Sequence, residues 1–331
     1  MKNIVKKMLE NRHLSMPILS FPSTSLIGCS VAELVSDAGK QALGMKAVAD
    51  RCPTSASLNM MELSVEAEAF GAQIRFSPDE IPTIRQGVLS DLNEAANLDV
   101  PKVGGKRTGI FIEGIKKAKA LIKDRPVFCG VIGPYSLAGR LYDMTMLMMA
   151  CYDEPDNVKI LLEKCASFIS DYIAAFKKAG ADGVIIAEPA AGLLSPALCE
   201  EFSSVYVKRI IESAQDNNFV FVYHNCGNTL PLIDSLAGVG ADIYHFGNAV
   251  DMQKVLELMP RDKVAIGNIN PVDFRTKRPA EIYKNTTELL NRCAKYPNYI
   301  ISSGCDIPAD SSWENIEAYF AAIRAFYEVG K

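Results

Sequence analysis

From residue 126 onward, short uninterrupted apolar runs alternate with longer segments in which apolar residues recur every three or four positions. Runs bounded by Gly, Pro, Asn or Asp predict strands buried on both faces, and the 3.6-residue recurrence predicts amphipathic helices. The strands fall at 126–131, 183–187, 219–223, 242–246, 263–267 and 299–303. Between the first two, Val158, Leu161, Leu162, Cys165, Phe168, Ile169, Tyr172, Ile173 and Phe176 form one apolar stripe along a helix at 157–178, which Gly180 ends. A further helix starts with Ser195 as N-cap and Pro196 in its first turn.

Six strand–helix units in succession predict a parallel sheet covered by helices, and the α/β architecture such a series builds is a TIM (β/α)8 barrel. Two units are then needed from the first fifty residues. A strand at 16–21 before a helix at 31–43, and a strand at 45–49, are the segments available. Residues 64–85 read as an N-terminal decoration, a helix followed by a short strand around Gln73-Ile74-Arg75-Phe76. No Gly/Ser-rich linker or low-complexity tract interrupts the chain, so 1–331 reads as a single domain.

Charge narrows the field by exclusion. A net charge of -4 with both signs mixed along the chain provides no basic face for nucleic acid or anionic lipid. The first ten residues are charged where a signal peptide needs an apolar stretch, and no later run has the length of a membrane span, so a cytoplasmic protein is expected. Nine cysteines, an odd number, suit a reducing compartment better than a disulfide framework. Oligomeric state leaves no trace in the pattern.

In a barrel of this kind the active site lies where strands run into the following loops. Most of the unusual residues of this chain stand there. In the run that ends Tyr223-His224-Asn225-Cys226, residues two apart share a face, so His224 and Cys226 can reach one ion. Cys305, just past the last strand in Ser303-Gly304-Cys305-Asp306, adds a third soft donor. Two thiolates and an imidazole suit Zn2+, and three protein ligands leave the fourth tetrahedral position open, as catalytic zinc sites do. The bland alternative is a hydrogen-bonded loop histidine beside free thiols. Two thiolates make zinc electron-rich, poor at generating hydroxide but suited to holding an exogenous thiolate as nucleophile. Alkyl transfer to sulfur is therefore the expected chemistry.

Other strand-end residues extend the site. Glu188 is a candidate fourth ligand, a partner for His224, or a proton acceptor from the incoming thiol; otherwise it is a loop carboxylate. His245 and Asn248 follow the next strand and are candidates for catalysis, with a structural histidine as the alternative. Asn268 and Asn270 offer neutral hydrogen bonds to a substrate or cofactor edge, or stabilise turns. The segment Gly133-Pro134-Tyr135-Ser136-Leu137-Ala138-Gly139-Arg140 is placed at the mouth, Tyr135 and Arg140 facing a cofactor and Arg140 available to a sulfonate or carboxylate. Met144, Met146, Met148 and Met149 are an adaptable contact surface or simply core.

These motifs resemble the uroporphyrinogen decarboxylase superfamily, and within it the methylcobamide:coenzyme M methyltransferase branch. Gly133-Pro134-Tyr135 is similar to the superfamily's Gly-Pro-aromatic segment, and His224-Asn225-Cys226-Gly227-Asn228 with Ser303-Gly304-Cys305-Asp306 resembles the methyltransferase zinc motifs. The resemblance implies a TIM barrel whose zinc, held by His224, Cys226 and Cys305, binds a thiol such as coenzyme M. That thiolate would take the methyl group of a methylcobamide (corrinoid) carried by a separate carrier protein. True decarboxylases resemble one another in an arginine-bearing N-terminal motif, and residues 14–29 here contain no arginine. A decarboxylase-like lyase and a non-catalytic module that binds a corrinoid protein around a structural zinc are the rival expectations.

Overall fold

Alternation along the strands sorts their side chains into two separate cores. The computed structural model describes residues 1–329, with strands β1 Ser57–Leu58, β2 Gln73–Arg75, β3 Thr83–Gln86, β4 Val127–Ile132, β5 Gly183–Ala187, β6 Val220–Asn225, β7 Ile243–Phe246, β8 Val264–Ile269 and β9 Tyr299–Ser303. Seven of them form one parallel sheet in the order β1-β4-β5-β6-β7-β8-β9. Leu58, Phe128, Ile185, Ala187, Val220, Val222, Ile243, Val264, Ile266 and Ile300 pack with one another into an inner cluster. Their neighbours, among them Val127, Cys129, Val184, Ile186, Phe221, Tyr223, Tyr244 and Ile301, join the outer core against the helices. A sheet that buries both faces while gathering all its inward residues into one cluster is curled around that cluster.

Of the expected eight-stranded barrel the sheet shows seven strands, and the place of an eighth holds a segment without a strand ladder. Met16 and Ile18 contribute to the inner cluster, the Met16 amide donates to the Ile301 carbonyl at 3.2 Å, and the Ser15 carbonyl accepts from the Ser55 amide at 2.8 Å. The segment expected as a strand at 16–21 thus runs between β9 and the chain entering β1, held by isolated bonds. Helix Asn3–Glu10 inserts Val5 and Met8 into the same cluster from the N-terminal ends of the strands.

The expected strand at 45–49 is instead the second half of helix Ala38–Arg51, whose Met45, Val48 and Ala49 are buried at helical spacing. The helix expected at 31–43 is two. Val31–Ser36 begins with a capping box between Ser30 and Glu33, and Asp37 then caps the longer helix by accepting from the Lys40 amide at 2.8 Å. Residues 64–86 form the decoration, helix Val65–Phe70 followed by the β2–β3 antiparallel pair. The long helix Pro155–Lys178 buries its predicted stripe and ends at Gly180, whose φ of +100° lets the Ala181 amide reach back to the Phe176 carbonyl. Among the described residues no helix is long and apolar enough to cross a membrane.

Candidate metal centre

Along β6 to β9 the inward-facing row of strand residues changes character toward its C-terminal end. Val220 and Val222 give way to His224, Ile243 to His245, Ile266 to Asn268 and Ile300 to Ser302, so a polar layer caps the apolar interior. His224 and Cys226, at the end of β6, meet Cys305 from the loop after β9. Their ligand atoms all lie within 4.8 Å of one another. His224 Nε2 stands 3.6 Å from Cys305 Sγ. Ordinary Zn–N and Zn–S bond lengths put such a pair about 3.6 Å apart on a tetrahedron, so the spacing fits zinc.

Two glycines permit the approach. A Cβ on Gly247 would fall 2.4 Å from Cys226 Cα, and one on Gly304 would fall 2.7 Å from the Asn248 amide nitrogen. With no cation the two thiols compete for charge. Cys226 is pushed down, chiefly because the Cys305 thiol donates to it and His224 adds further support, whereas Cys305 is pushed up by the neighbouring sulfur and by burial. A thiol held toward its thiolate beside a second thiol and an imidazole is the donor chemistry of a thiolate metal site.

The structure brings some of the expected residues to this cluster and assigns others elsewhere. Glu188 is fully buried, but its carboxylate accepts from the Tyr135 and Ser136 amides at 3.0 and 2.6 Å, at the start of helix Pro134–Leu141. Burial nevertheless pushes it up to about 7. It lies outside the group of ligand atoms, so the expectation of a fourth ligand is not met: its oxygens are spent on the helix. Its backbone is tied to the metal strand, since the Glu188 carbonyl accepts from Asn225 Nδ2 at 2.6 Å and its amide donates to the His224 carbonyl at 2.9 Å.

Tyr135 corrects a second expectation. Its ring is buried in the outer core with the hydroxyl 3.7 Å from Cys151 Sγ on helix Met144–Asp153, so the side chain does not face the mouth. Asn268 donates to the Gly247 and Val250 carbonyls and pins the loop after β7, and Asn270 accepts from the Val272 amide in a turn. Asn248 is exposed beside Gly304. Arg140 is half-buried and forms no ion pair among the described residues; burial pulls its pKa down against the opposing fields of Glu66 and Glu62. Of the methionines, Met146 and Met149 are exposed while Leu147 between them is core.

His245 does reach the cluster. Its Nδ1 lies 2.6 Å from His224 Nδ1 and its Nε2 lies 2.9 Å from Ser302 Oγ. Burial, with His224 alongside, holds its pKa well below the usual histidine value. Sequence reasoning overlooked Ser302, although its place two residues after inward-facing Ile300 marks it as a hydroxyl inside the sheet. It also passed over Glu66, whose Oε1 accepts from the Ile132 amide at 3.0 Å while Oε2 has no partner among the described residues, and burial lifts it to about 7. Asp306 accepts from Ser20 Oγ at 3.0 Å and from the Met61 amide at 3.2 Å, tying the N-terminal segment to the rim.

Known proteins carry the same framework. A methylcobamide:CoM methyltransferase of Methanosarcina acetivorans is 24% identical over 287 residues, covering 86% of this chain and 80% of that protein. A uroporphyrinogen decarboxylase of Coxiella burnetii is 26% identical over 313 residues, covering 90% and 83%. A solved methyltransferase from Methanosarcina mazei superposes with a TM-score of 0.84 over 96% of this chain and 99% of its own, at 23% identity, a likeness of fold. The family description uroporphyrinogen decarboxylase (URO-D) matches residues 19–326, and the chain belongs to that family.

Proposed function

We propose that this protein is a cytoplasmic, zinc-dependent methyltransferase that moves a methyl group from a methyl-corrinoid, carried by a separate protein, to a small thiol of the coenzyme M kind. The observation that carries the reading is the meeting of His224, Cys226 and Cys305 at the C-terminal ends of their strands. The relatives named methylcobamide:CoM methyltransferase support the same chemistry. These three side chains would hold zinc, which would supply the Lewis acidity that keeps a thiol deprotonated near neutral pH. In the transfer, sulfur gains the methyl group, the cobalt–carbon bond breaks with its electron pair left on cobalt as Co(I), and the thiol proton leaves to solvent.

The chain's own groups divide the remaining work. His224, Cys226 and Cys305 would hold the zinc and would leave room on it for the incoming sulfur. Glu188 orders the helix that carries Arg140, and Arg140, with no ion pair among the described residues, is the cation we assign to the acidic end of the acceptor. A uroporphyrinogen carries many carboxylates, and the absence of arginine from residues 14–29 argues against a decarboxylase.

The purified protein should contain one zinc per chain, and Cys305→Ala should lose it while keeping the far-ultraviolet circular dichroism of the parent. Mixed with methylcobalamin and a panel of thiols, the zinc-loaded protein should convert the methyl–cobalt absorption to that of the reduced corrinoid. No methyl loss with any thiol would defeat the proposal.

A further inference from the structure

We infer that His245 is a positioning residue which, with Ser302 and the Met16 carbonyl, fixes His224 in the one tautomer that leaves Nε2 bare for a metal. The chain of contacts has a defined direction because one end can only accept. Ser302 Oγ lies 2.6 Å from the Met16 carbonyl oxygen, so the single hydroxyl proton is committed there. The 2.9 Å contact from His245 Nε2 to Ser302 Oγ then needs its proton on Nε2. A neutral ring protonated at Nε2 presents a lone pair at Nδ1, and the 2.6 Å contact between the two Nδ1 atoms therefore puts a proton on His224 Nδ1. His224 is left with a lone pair on Nε2, the nitrogen 3.6 Å from Cys305 Sγ.

The backbone makes this arrangement rigid. His224 and His245 are register partners on adjacent parallel strands, so both rings leave the sheet at the same level. Both are buried, at 2% and 1% exposure, which keeps water from either ring, and the His245 carbonyl, 3.3 Å from His224 Nδ1, can only accept and so favours the same proton on that nitrogen. The Met16 carbonyl belongs to the segment that occupies the eighth position of the curled sheet, so closure of the fold and preparation of the ligand are one hydrogen-bonded system. The consequence for metal affinity rests on the zinc reading above; the proton placement is a property of the metal-free chain.

Three histidines in the chain make the test direct, since 15N-histidine labelling gives three ring systems, one of them the exposed His13. In metal-free protein, ring-nitrogen shifts should show His224 protonated at Nδ1 and bare at Nε2, and His245 the reverse. A His224 ring protonated at Nε2, or averaging between tautomers, would overturn the inference. Zinc affinity measured by chelator competition should fall about 10- to 100-fold in His245→Leu. It should recover several-fold in His245→Asn, whose amide oxygen can accept from Nδ1. A folded His245→Leu protein that holds zinc as tightly as the parent would equally refute it. Should that variant unfold, the parent's ring spectrum decides the matter alone. A parent that binds no zinc would sink the proposed function while leaving the tautomer result standing.

Discussion

At the N-terminal ends of the strands, charge is compensated close to where it arises. Asp182 accepts from the Val127 amide and pairs with Lys119, while Asp242 accepts from the Phe221 amide and from Lys2 Nζ, each at 2.9 Å. Arg125 reaches Asp124, the Cys52 carbonyl and Thr54. Lys119, Arg125 and Asp182 border a cavity of about 590 Å3, where they join Ile4 and Met8. At the C-terminal ends the balance is different. Arg107 is taken by Glu62 and Glu68, which leaves Arg140 without an ion pair and Glu66 Oε2 without a donor among the described residues, and two cysteines crowd together beside His224. The N-terminal end is electrostatically settled and the C-terminal end is not. Polar groups kept out of water without full partners cost stability, and a fold tolerates that cost where the groups have something to bind.

The hardest test of this contrast is to remove a donor at the rim. Cys226→Ser should lower methyl transfer by about two orders of magnitude or more, because a serine hydroxyl does not replace a thiolate at zinc. Lys123→Ala, which gives up a hydrogen bond to the Lys119 carbonyl at the other end, should leave turnover unchanged. Steady-state assays of the two variants side by side would reverse the assignment of the ends if the second lost activity and the first kept it.

Glu66 offers a test in stability. Its folded pKa of about 7 lies above the ordinary value of 4.5, so between those limits the folded chain holds a proton that the unfolded chain releases. Stability should therefore fall as pH rises from about 4.5 to 7 and level off above. Glu188 and Asp306 are displaced in the same direction and share in the decline. Glu66→Gln should remove one share, making the fall smaller by about 1–3 kcal/mol, as read from denaturant midpoints at pH 5 and pH 8. Parallel curves for the two proteins would mean that the carboxylate is ionised and paired in the fold.

A smaller effect is expected at the glycine that brackets the metal loop. In Gly247→Ala the new carbon meets Cys226 Cα and Cβ at 2.4 and 2.7 Å, and a backbone atom cannot turn aside as a side-chain tip can. A loss of about 1–2 kcal/mol in stability and roughly tenfold in zinc affinity is expected, the second by chelator competition. Unchanged affinity would show that the loop after β7 moves independently of the ligands.

Much of this was legible in the residues. Strands 183–187 and 299–303 fall where the apolar runs predict them, and β6 extends the predicted run to Asn225, because these strands are buried on both faces and flanked by turn residues. The meeting of the candidate donors was legible for the same reason, since period-two alternation places His224 and Cys226 together. The first third was harder. Met45, Val48 and Ala49 have helical spacing within a short window that also reads as a strand, and residues 16–21 take their place through long-range bonds to residues near 301 that no local pattern encodes. The fates of Glu188 and Tyr135 were equally hidden. A carboxylate after a strand looks the same whether it faces a metal or caps the helix of the preceding unit, and a tyrosine at a helix start does not announce which core its ring will enter.

The smallest expected change is at the settled end, and it bears on what the large cavity means. Asp182 Oδ2 joins a backbone amide of the neighbouring strand to a lysine at a site about one-quarter exposed, so solvent already weakens the ion pair. Asp182→Asn keeps an oxygen acceptor for the Val127 amide and gives up the charge. A loss of about 1 kcal/mol is expected, visible as a lower denaturant midpoint at unchanged slope. Zinc content and methyl transfer should stay at parental values, because the substitution touches the N-terminal edge of the sheet and the ligands stand at the other. If transfer fell instead by the hundredfold expected of Cys226→Ser, the cavity beside Asp182 would have to be part of the reaction path, and the compensated charges around it would be a binding surface and not a structural base.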